Sequence, residues 1–505
     1  MTSPLFASPF HVLLAESGFR KLLADTLLPP YLQRQRWFTS KGKTITHTTV
    51  ERSFRVTADS ALVLVCVEFG DGSQEHYQLP LALYAAGAER DGLAAQYKLG
   101  EVAGAGLIGD AVPRADFRAA LFDLVRGGEQ RSDGLNCEAG RALGTDLPEE
   151  VPSTVPSIDT SNTAIVYADR FFFKLFRKLD PGLNPDLELV RFLSERTDFA
   201  HCPPYAGSLG VGDMDAAEYL NLGLMSGKVD NRGDAWSLFQ QLAEDRFTGR
   251  TTDASAAVAR ARLLGRRTAQ MHRGLASAPP ERADLAPVAM TPDYRREIVA
   301  AARRLLDRQF TQLAAQLETL PPRTAALAER LLAQREELER RLGRLSTRNV
   351  AVDLIRIHGD YHLGQVLDTG DDFTIIDFEG EPLLSIPERR RKRPALKDVG
   401  GMVRSFHYAA RGQLLLNPDR YADRDGAELA ALAEAWYREV AAAYLEAYYR
   451  ECGGASFLPA EPSDRRALLD LFILEKAIYE VAYELNSRPA WLGIPLGGAL
   501  GLLAS

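Results

Sequence analysis

Apolar and polar residues alternate in short runs through the first part of the chain, then recur at helical spacing through most of the rest. His11 to Leu28 carries a helical pattern, and Ala61 to Phe69 is a nearly unbroken apolar run that predicts a strand of an antiparallel sheet. Asp71-Gly72-Ser73 is a hairpin turn signal. Residues 146–157 hold prolines and acids and predict a connector. A second hairpin is expected from Thr163–Tyr167, a turn at Ala168-Asp169-Arg170, and Phe171–Phe176. Beyond Asp234 the period becomes helical over 255–275, 294–345, 425–451 and 464–486. Pro321-Pro322 interrupts the second of these, so it predicts two antiparallel helices. Asp353–Ile357 and Phe373–Phe378 are the strand-like island in this half. The pattern implies an α+β chain, β-rich first and helical afterwards.

With 505 residues the chain can build two or three domains, each with its own core. A net charge of −8 argues against a nucleic-acid partner, which needs a basic excess or stripe. The run Arg389-Arg390-Arg391-Lys392-Arg393 is short and reads as a solvated loop near a phosphate site. The 4 cysteines, Cys66, Cys137, Cys202 and Cys452, form no C-x-x-C pair, which argues against a disulfide framework or a zinc site of ordinary spacing. No basic segment followed by an apolar one opens the chain, and no apolar run is long enough for a membrane helix. A cytoplasmic location without membrane partners is expected.

Candidate chemistry concentrates in His358-Gly359-Asp360-Tyr361-His362-Leu363-Gly364-Gln365 and the following Asp377-Phe378-Glu379-Gly380-Glu381. Each follows an apolar strand signal, so its polar groups emerge on loops carried by a rigid frame. Phosphoryl transfer needs a carboxylate to take the attacking hydroxyl's proton, oxygen ligands for Mg²⁺, and cations to steady the triphosphate. Asp360 suits the first role, and Gln365 and Asp377 offer hard oxygens for the second. The spacing is similar to the H-R-D-x-x-x-x-N and D-F-G loops of protein kinases, with Gln365 in place of Asn and Glu379 in place of Gly. Lys174 sits inside an apolar strand pattern, where an unpaired ammonium is costly, and Glu188 on the helix opened by Asn184-Pro185 is placed to pair with it. Ser161-Asn162-Thr163 stands where a phosphate-covering turn belongs, without the glycines of a G-x-G-x-x-G loop. Two other readings stay open here. His358, Asp360 and His362 could be a two-metal phosphoesterase cluster, although 8 histidines supply few ligands. Both histidines could equally be packed scaffold.

With these residues in order, the chain resembles the bacterial maltokinases, free-standing or fused behind trehalose synthase. The resemblance runs through Arg34–Phe38 with Lys41-Gly42-Lys43, Ser161–Thr163, Lys174–Arg177, Asn184–Glu188 and Gly233–Trp236. It continues in His358–Gln365, Asp377–Pro382, Lys397–Phe406 and Leu474–Glu480. It implies a bilobal protein-kinase-like fold: an N-terminal cap over residues 1–90, the rest of a β-rich lobe over 91–225, and a helical lobe over 226–505. It further implies transfer of the γ-phosphoryl group of ATP to the anomeric hydroxyl of maltose, with association with trehalose synthase. Asp360 would be the base, Gln365 and Asp377 the Mg²⁺ ligands, and Lys174 with Glu188 the phosphate-positioning pair beside Ser161, Asn162 and Thr163. Where relatives carry a Gln-Glu-Phe-type connector between lobes, this chain reads Leu224-Met225-Ser226-Gly227-Lys228, which leaves nucleotide preference open.

For the sugar, polar groups flanked by aromatics on the late helices suit a disaccharide: Asp398, Arg404, Glu475, Lys476, Tyr479 and Tyr483. Any of these could instead be an interhelical ion pair or a core aromatic. Glucosamine is the alternative acceptor, with Asp398 or Glu475 to meet its ammonium group. A non-catalytic binding partner of glucan enzymes is the alternative outside enzymology, and it conflicts with the presence of Asp360, Gln365 and Asp377.

Overall fold

The computed structural model describes residues 9–85, 87–103, 106–157 and 162–504. It divides into two compact units. The first runs to Arg191 and includes 203–228 and 385–387; the second comprises 192–202, 229–384 and the chain from Glu388 onward.

The first unit contains two antiparallel sheets. In the first sheet the strands lie in the order Ile45–Arg55, Ser60–Phe69, Gln74–Tyr84, Gly106–Asp110, Lys98–Val102. The two-residue strand Lys178–Leu179 adds to Gln74–Tyr84 from far along the chain, pairing Lys178 with Tyr77. Val63, Val65 and Val67 alternate onto one face with Tyr77, Leu79 and Leu81, and pack there against Tyr31, Leu32, Trp37 and Phe38. The expected helix over 11–28 is broken into Phe10–Leu13, Ser17–Leu22, a π-helical turn Leu23–Leu27, and Leu28–Arg34. Pro29 and Pro30 have no N–H to donate to carbonyls four residues back, and the turn before them widens.

In the second sheet the order is Leu135–Ala139, Tyr205–Val211, Leu220–Gly227, Phe171–Leu175, Thr163–Tyr167, Ser153–Thr154. The expected hairpin is present, and Ala168 and Asp169 both take left-handed φ values of 51° and 53° in its turn, which the Arg170 N–H closes on the Tyr167 carbonyl. The expected connector over 146–157 contributes the edge strand Ser153–Thr154.

A buried polar junction ties the first sheet to the strands of the second. Gln78 donates its amide to the carbonyls of Phe176 (2.8 Å) and Leu222 (2.9 Å). Arg177, 2% exposed, donates to Asp110 Oδ2 at 2.8 Å and Thr163 Oγ1 at 2.7 Å. Its guanidinium lies over Trp37 at 5.1 Å, and Tyr31 donates to the same Asp110 carboxylate.

The second unit is mostly helical. Ser255–Leu275 packs along Gly426–Cys452, and Leu396–Leu416 along Pro462–Ser487. The stretch expected to make two helices makes three: Pro292–Gln316, Pro322–Leu332 and Arg335–Gly343. Pro321-Pro322 marks the first break. At the second, Gln334 donates to Leu331, a tightened turn that ends one helix before Glu336 and Glu337 open the next. The strand island is also rearranged. Phe373–Ile375 pairs with Val366–Asp368, whereas Asp353–Leu354 pairs with Val288–Ala289. The strand expected to reach Phe378 stops at Ile375 because Asp377 turns left-handed. Among the described residues, no helix is long and apolar enough to cross a membrane.

Candidate active site

The loop His358–Gln365 is held from behind by the first turn of helix Leu396–Leu416. Asp398, 2% exposed, accepts the backbone N–H of His358 (2.8 Å) and of Gly359 (3.0 Å). Its Oδ2 also meets His272 Nε2 at 3.1 Å, and His272 Nδ1 meets the Tyr448 hydroxyl at 2.9 Å. Burial alone would raise the Asp398 carboxyl. The bond and charge of His272, the nearby His358 and the Gly359 N–H outweigh it and hold the group below its ordinary range. Gly359 has φ +88°, and a Cβ there would meet Gly380 Cα at 3.1 Å, so the turn needs glycine. His358 Nε2 lies 2.9 Å from the Ile376 carbonyl, and its ring packs on Phe378 and Tyr361. Ser405 Oγ accepts the Leu363 N–H.

With the loop pinned in this way, Asp360 emerges one residue past the glycine. Its Oδ1 lies 3.5 Å from Lys476 Nζ and its Oδ2 3.9 Å from His362 Nε2. His362 accepts the Gly364 N–H at Nδ1, which leaves Nε2 to carry the ring proton. Burial, with Lys476 and His358 adding to it, lowers the imidazole against the pull of Asp360, so it stays neutral. For Lys476, burial would lower the ammonium, but Asp360, Glu480 and Glu381 prevail and raise it.

Gln365 and Asp377 meet at 2.9 Å, amide nitrogen to carboxylate. Asp377 has φ 66°, a conformation rare for residues with a Cβ and often met at functional positions. The Glu379 carboxylate lies within 4.8 Å of that of Asp377. Two carboxylates and an amide make an all-oxygen donor set, which fits Mg²⁺.

A cavity of about 330 Å³ opens beside Asp360, within the range of small-molecule sites. Glu381, Lys397, Glu475, Lys476 and Tyr479 line it, with Leu305 and Phe472 in its walls. Lys397 Nζ lies 3.5 Å from both Glu381 and Glu475. Of the six candidate sugar residues, Glu475, Lys476 and Tyr479 are thus brought together. Asp398 borders the cavity with its oxygens committed to the loop. Arg404 does not line it: its guanidinium is buried in a two-pronged bond to Glu480 at 2.9 and 2.6 Å. Tyr483 is exposed and stacks on Tyr479.

The nucleotide-side candidates belong to the first unit. Lys174 lies mid-strand between Ala164 and Leu224, and its ammonium bonds Asp186 at 2.8 Å. Asn184 receives the Asp186 N–H on its side chain and Pro185 opens the helix, so the first turn presents both Asp186 and Glu188, each buried. Thr163 is the residue that receives Arg177, Asn162 precedes it, and Ser161 lies outside the described residues. Three residues missed by sequence reasoning belong beside the candidates: Asp186, Glu379 and His272. The first two lay inside quoted motifs; His272 lies 126 positions from its partner and left no local signal.

An antiparallel lobe bearing a strand lysine, together with a helical unit bearing the loops of Asp360 and Asp377, defines a kinase-like fold. A solved glucosamine kinase in complex with glucosamine, ADP and inorganic phosphate matches with a TM-score of 0.66 over 94% of this chain and 99% of that one, at 19% identity. A second crystal form of glucosamine kinase matches with a TM-score of 0.66 over 96% and 99%, at 20% identity. Residues 31–112 match the maltokinase N-terminal cap domain. Among characterised proteins, the glucosamine kinase of Streptacidiphilus jiangxiensis is 24% identical over 67% of this chain and 70% of its own length. That of Mycolicibacterium smegmatis is 29% identical over 34% and 40%. The chain is thus similar to a maltokinase cap over residues 31–112 and to glucosamine kinases over most of its length.

Proposed function

We propose that the chain transfers the γ-phosphoryl group of ATP to the anomeric hydroxyl of maltose, giving maltose 1-phosphate for α-glucan synthesis. The observation that carries this reading is Asp360 at the edge of a sugar-sized cavity whose charged groups already pair with one another. Asp360 takes the hydroxyl proton as the sugar oxygen bonds to phosphorus and the bond to the leaving ADP breaks. Asp398, through two backbone N–H groups, fixes where that carboxylate stands. Gln365 and Asp377, with Glu379 alongside, would hold Mg²⁺, which supplies charge neutralisation on the phosphates. Lys174, steadied by Asp186 and with Glu188 on the same helical turn, is assigned to the nucleotide phosphates. Association with trehalose synthase belongs to this reading, and co-purification tests it.

The sugar follows from charge. Lys397 is shared by Glu381 and Glu475, and Lys476 faces Asp360. A neutral disaccharide can hydrogen-bond to these pairs without breaking them, with a ring face toward Tyr479. An ammonium would have to compete with Lys397 for a carboxylate. Glucosamine is the second reading, favoured by the relatives that bear its name. An ADP-release assay across maltose, glucose, trehalose and glucosamine, with NMR to locate the phosphate, decides between them. Maltose should show the highest kcat/KM and carry phosphate on its anomeric oxygen, while trehalose, lacking a free anomeric hydroxyl, should not react. A preference for glucosamine, or phosphate on a primary hydroxyl, refutes the maltose assignment.

A further inference from the structure

Three side chains of metal-ligand type meet on the first sheet, outside the candidate active site. Cys66 in Ser60–Phe69 stands directly across from His76 in Gln74–Tyr84. Glu51 arrives from Ile45–Arg55 on the other side, at the irregularity between Val50 and Arg52 where the pairing register shifts. Glu51 Oε2 lies 3.1 Å from His76 Nδ1, and one donor atom from each of the three residues falls within 4.8 Å of the other two. Alternation sends Val65 and Val67 into the apolar core and Cys66 onto the opposite face. Cys66 is 7% exposed, whereas the side chains of His76 and Glu51 are 36% and 37% exposed. An ion can therefore approach from solvent and meet the sulfur at the floor of the site.

We propose that Glu51, Cys66 and His76 bind a divalent transition ion of the zinc class. Thiolate, imidazole and carboxylate are the ligand types Zn²⁺ takes, at about 2.3, 2.0–2.1 and 2.0–2.2 Å. Tetrahedral bonds of that length set the donors about 3.3–3.8 Å apart. Side-chain rotation closing the trio by about 1 Å reaches that spacing while the paired strands stay in register. The set contains sulfur and nitrogen, so it discriminates against Mg²⁺, which suits the all-oxygen group around Asp377. As the metal–sulfur bond forms, the thiol proton leaves to solvent. Thiolate and carboxylate then balance the two positive charges, and the fourth position is left to water or a small anion. The bound ion would cross-link three adjacent strands, including Ile45–Arg55 at the sheet edge.

Co²⁺ titration of the full-length protein in excess Mg²⁺ tests this, because a thiolate ligand produces a sulfur-to-cobalt charge-transfer band and a tetrahedral site produces intense visible bands. One equivalent should bind with both signatures and be displaced by Zn²⁺. Cys66→Ser should abolish the charge-transfer band. His76→Gln and Glu51→Gln, at partly exposed positions outside the core, should each weaken Co²⁺ binding by more than about tenfold, the lower end of what even outer-shell partners cost. Circular dichroism checks that the variants fold. Wild-type protein that takes up no Co²⁺, a charge-transfer band that persists in Cys66→Ser, or unchanged affinity in folded His76→Gln overturns the proposal.

Discussion

Asp360 faces an ammonium at 3.5 Å and projects from a loop whose backbone is tied down on both sides. Asp360→Asn keeps shape and size while removing the proton acceptor. We expect an unchanged melting temperature and a kcat lower by roughly 10²–10⁴-fold, read by ADP release. Asp377→Ala removes a candidate oxygen ligand, so ATP binding measured by calorimetry should lose its dependence on Mg²⁺, with sugar binding retained. ATP affinity that stays Mg²⁺-dependent in that variant would move the metal elsewhere. At this scale, what could be read from the sequence depended on spacing. Asp360, Gln365 and Asp377 stand out because they lie within one short stretch. Asn184-Pro185-Asp186-Leu187-Glu188 offers two carboxylates in one turn; spacing alone points to Glu188, and the structure adds Asp186, which meets Lys174 at 2.8 Å.

At the scale of elements, alternation and helical period located strands and helices, whereas their ends and partners came from tertiary contacts. The run Ala61–Phe69 is legible because every residue but Glu68 is apolar and Asp71-Gly72-Ser73 follows; Lys178–Leu179 is a strand only because Gln74–Tyr84 lies beside it. Arg177 read as part of a lysine-bearing strand motif, yet its side chain is the centre of a junction with Asp110, Thr163 and Trp37. Arg177→Met strands a buried carboxylate. Urea denaturation should show a loss of about 3–5 kcal/mol, the usual consequence of breaking a buried pair from one side. A loss no larger than that of an exposed ion pair would mean that the junction is not stabilising.

For the molecule as a whole, one buried imidazole sets an acid limit. His407 is 4% exposed; burial foremost, then the positive charges of Arg404 and Arg411, hold it well below its ordinary value. Between that depressed value and about 6.5, the unfolded chain binds a proton that the folded chain refuses. Stability from this group is therefore complete above about pH 6.5 and declines as pH falls, by up to about 1.4 kcal/mol per unit. Thermal melts from pH 7.5 to 5.5 should show that decline in the wild type and a shallower one in His407→Asn. A slope unaltered by the substitution would assign the acid sensitivity to other groups.

Lys178–Leu179 completes the first sheet although it follows the strand that carries Lys174. For anyone exchanging caps between relatives, residues 31–112 are consequently not a transferable module. A graft cut at those bounds would deprive Arg177 of Asp110 and Trp37 and the incoming sheet of its last strand. The portable unit has to carry 177–179 with it, and recombination with such relatives should succeed only where both stretches come from the same parent.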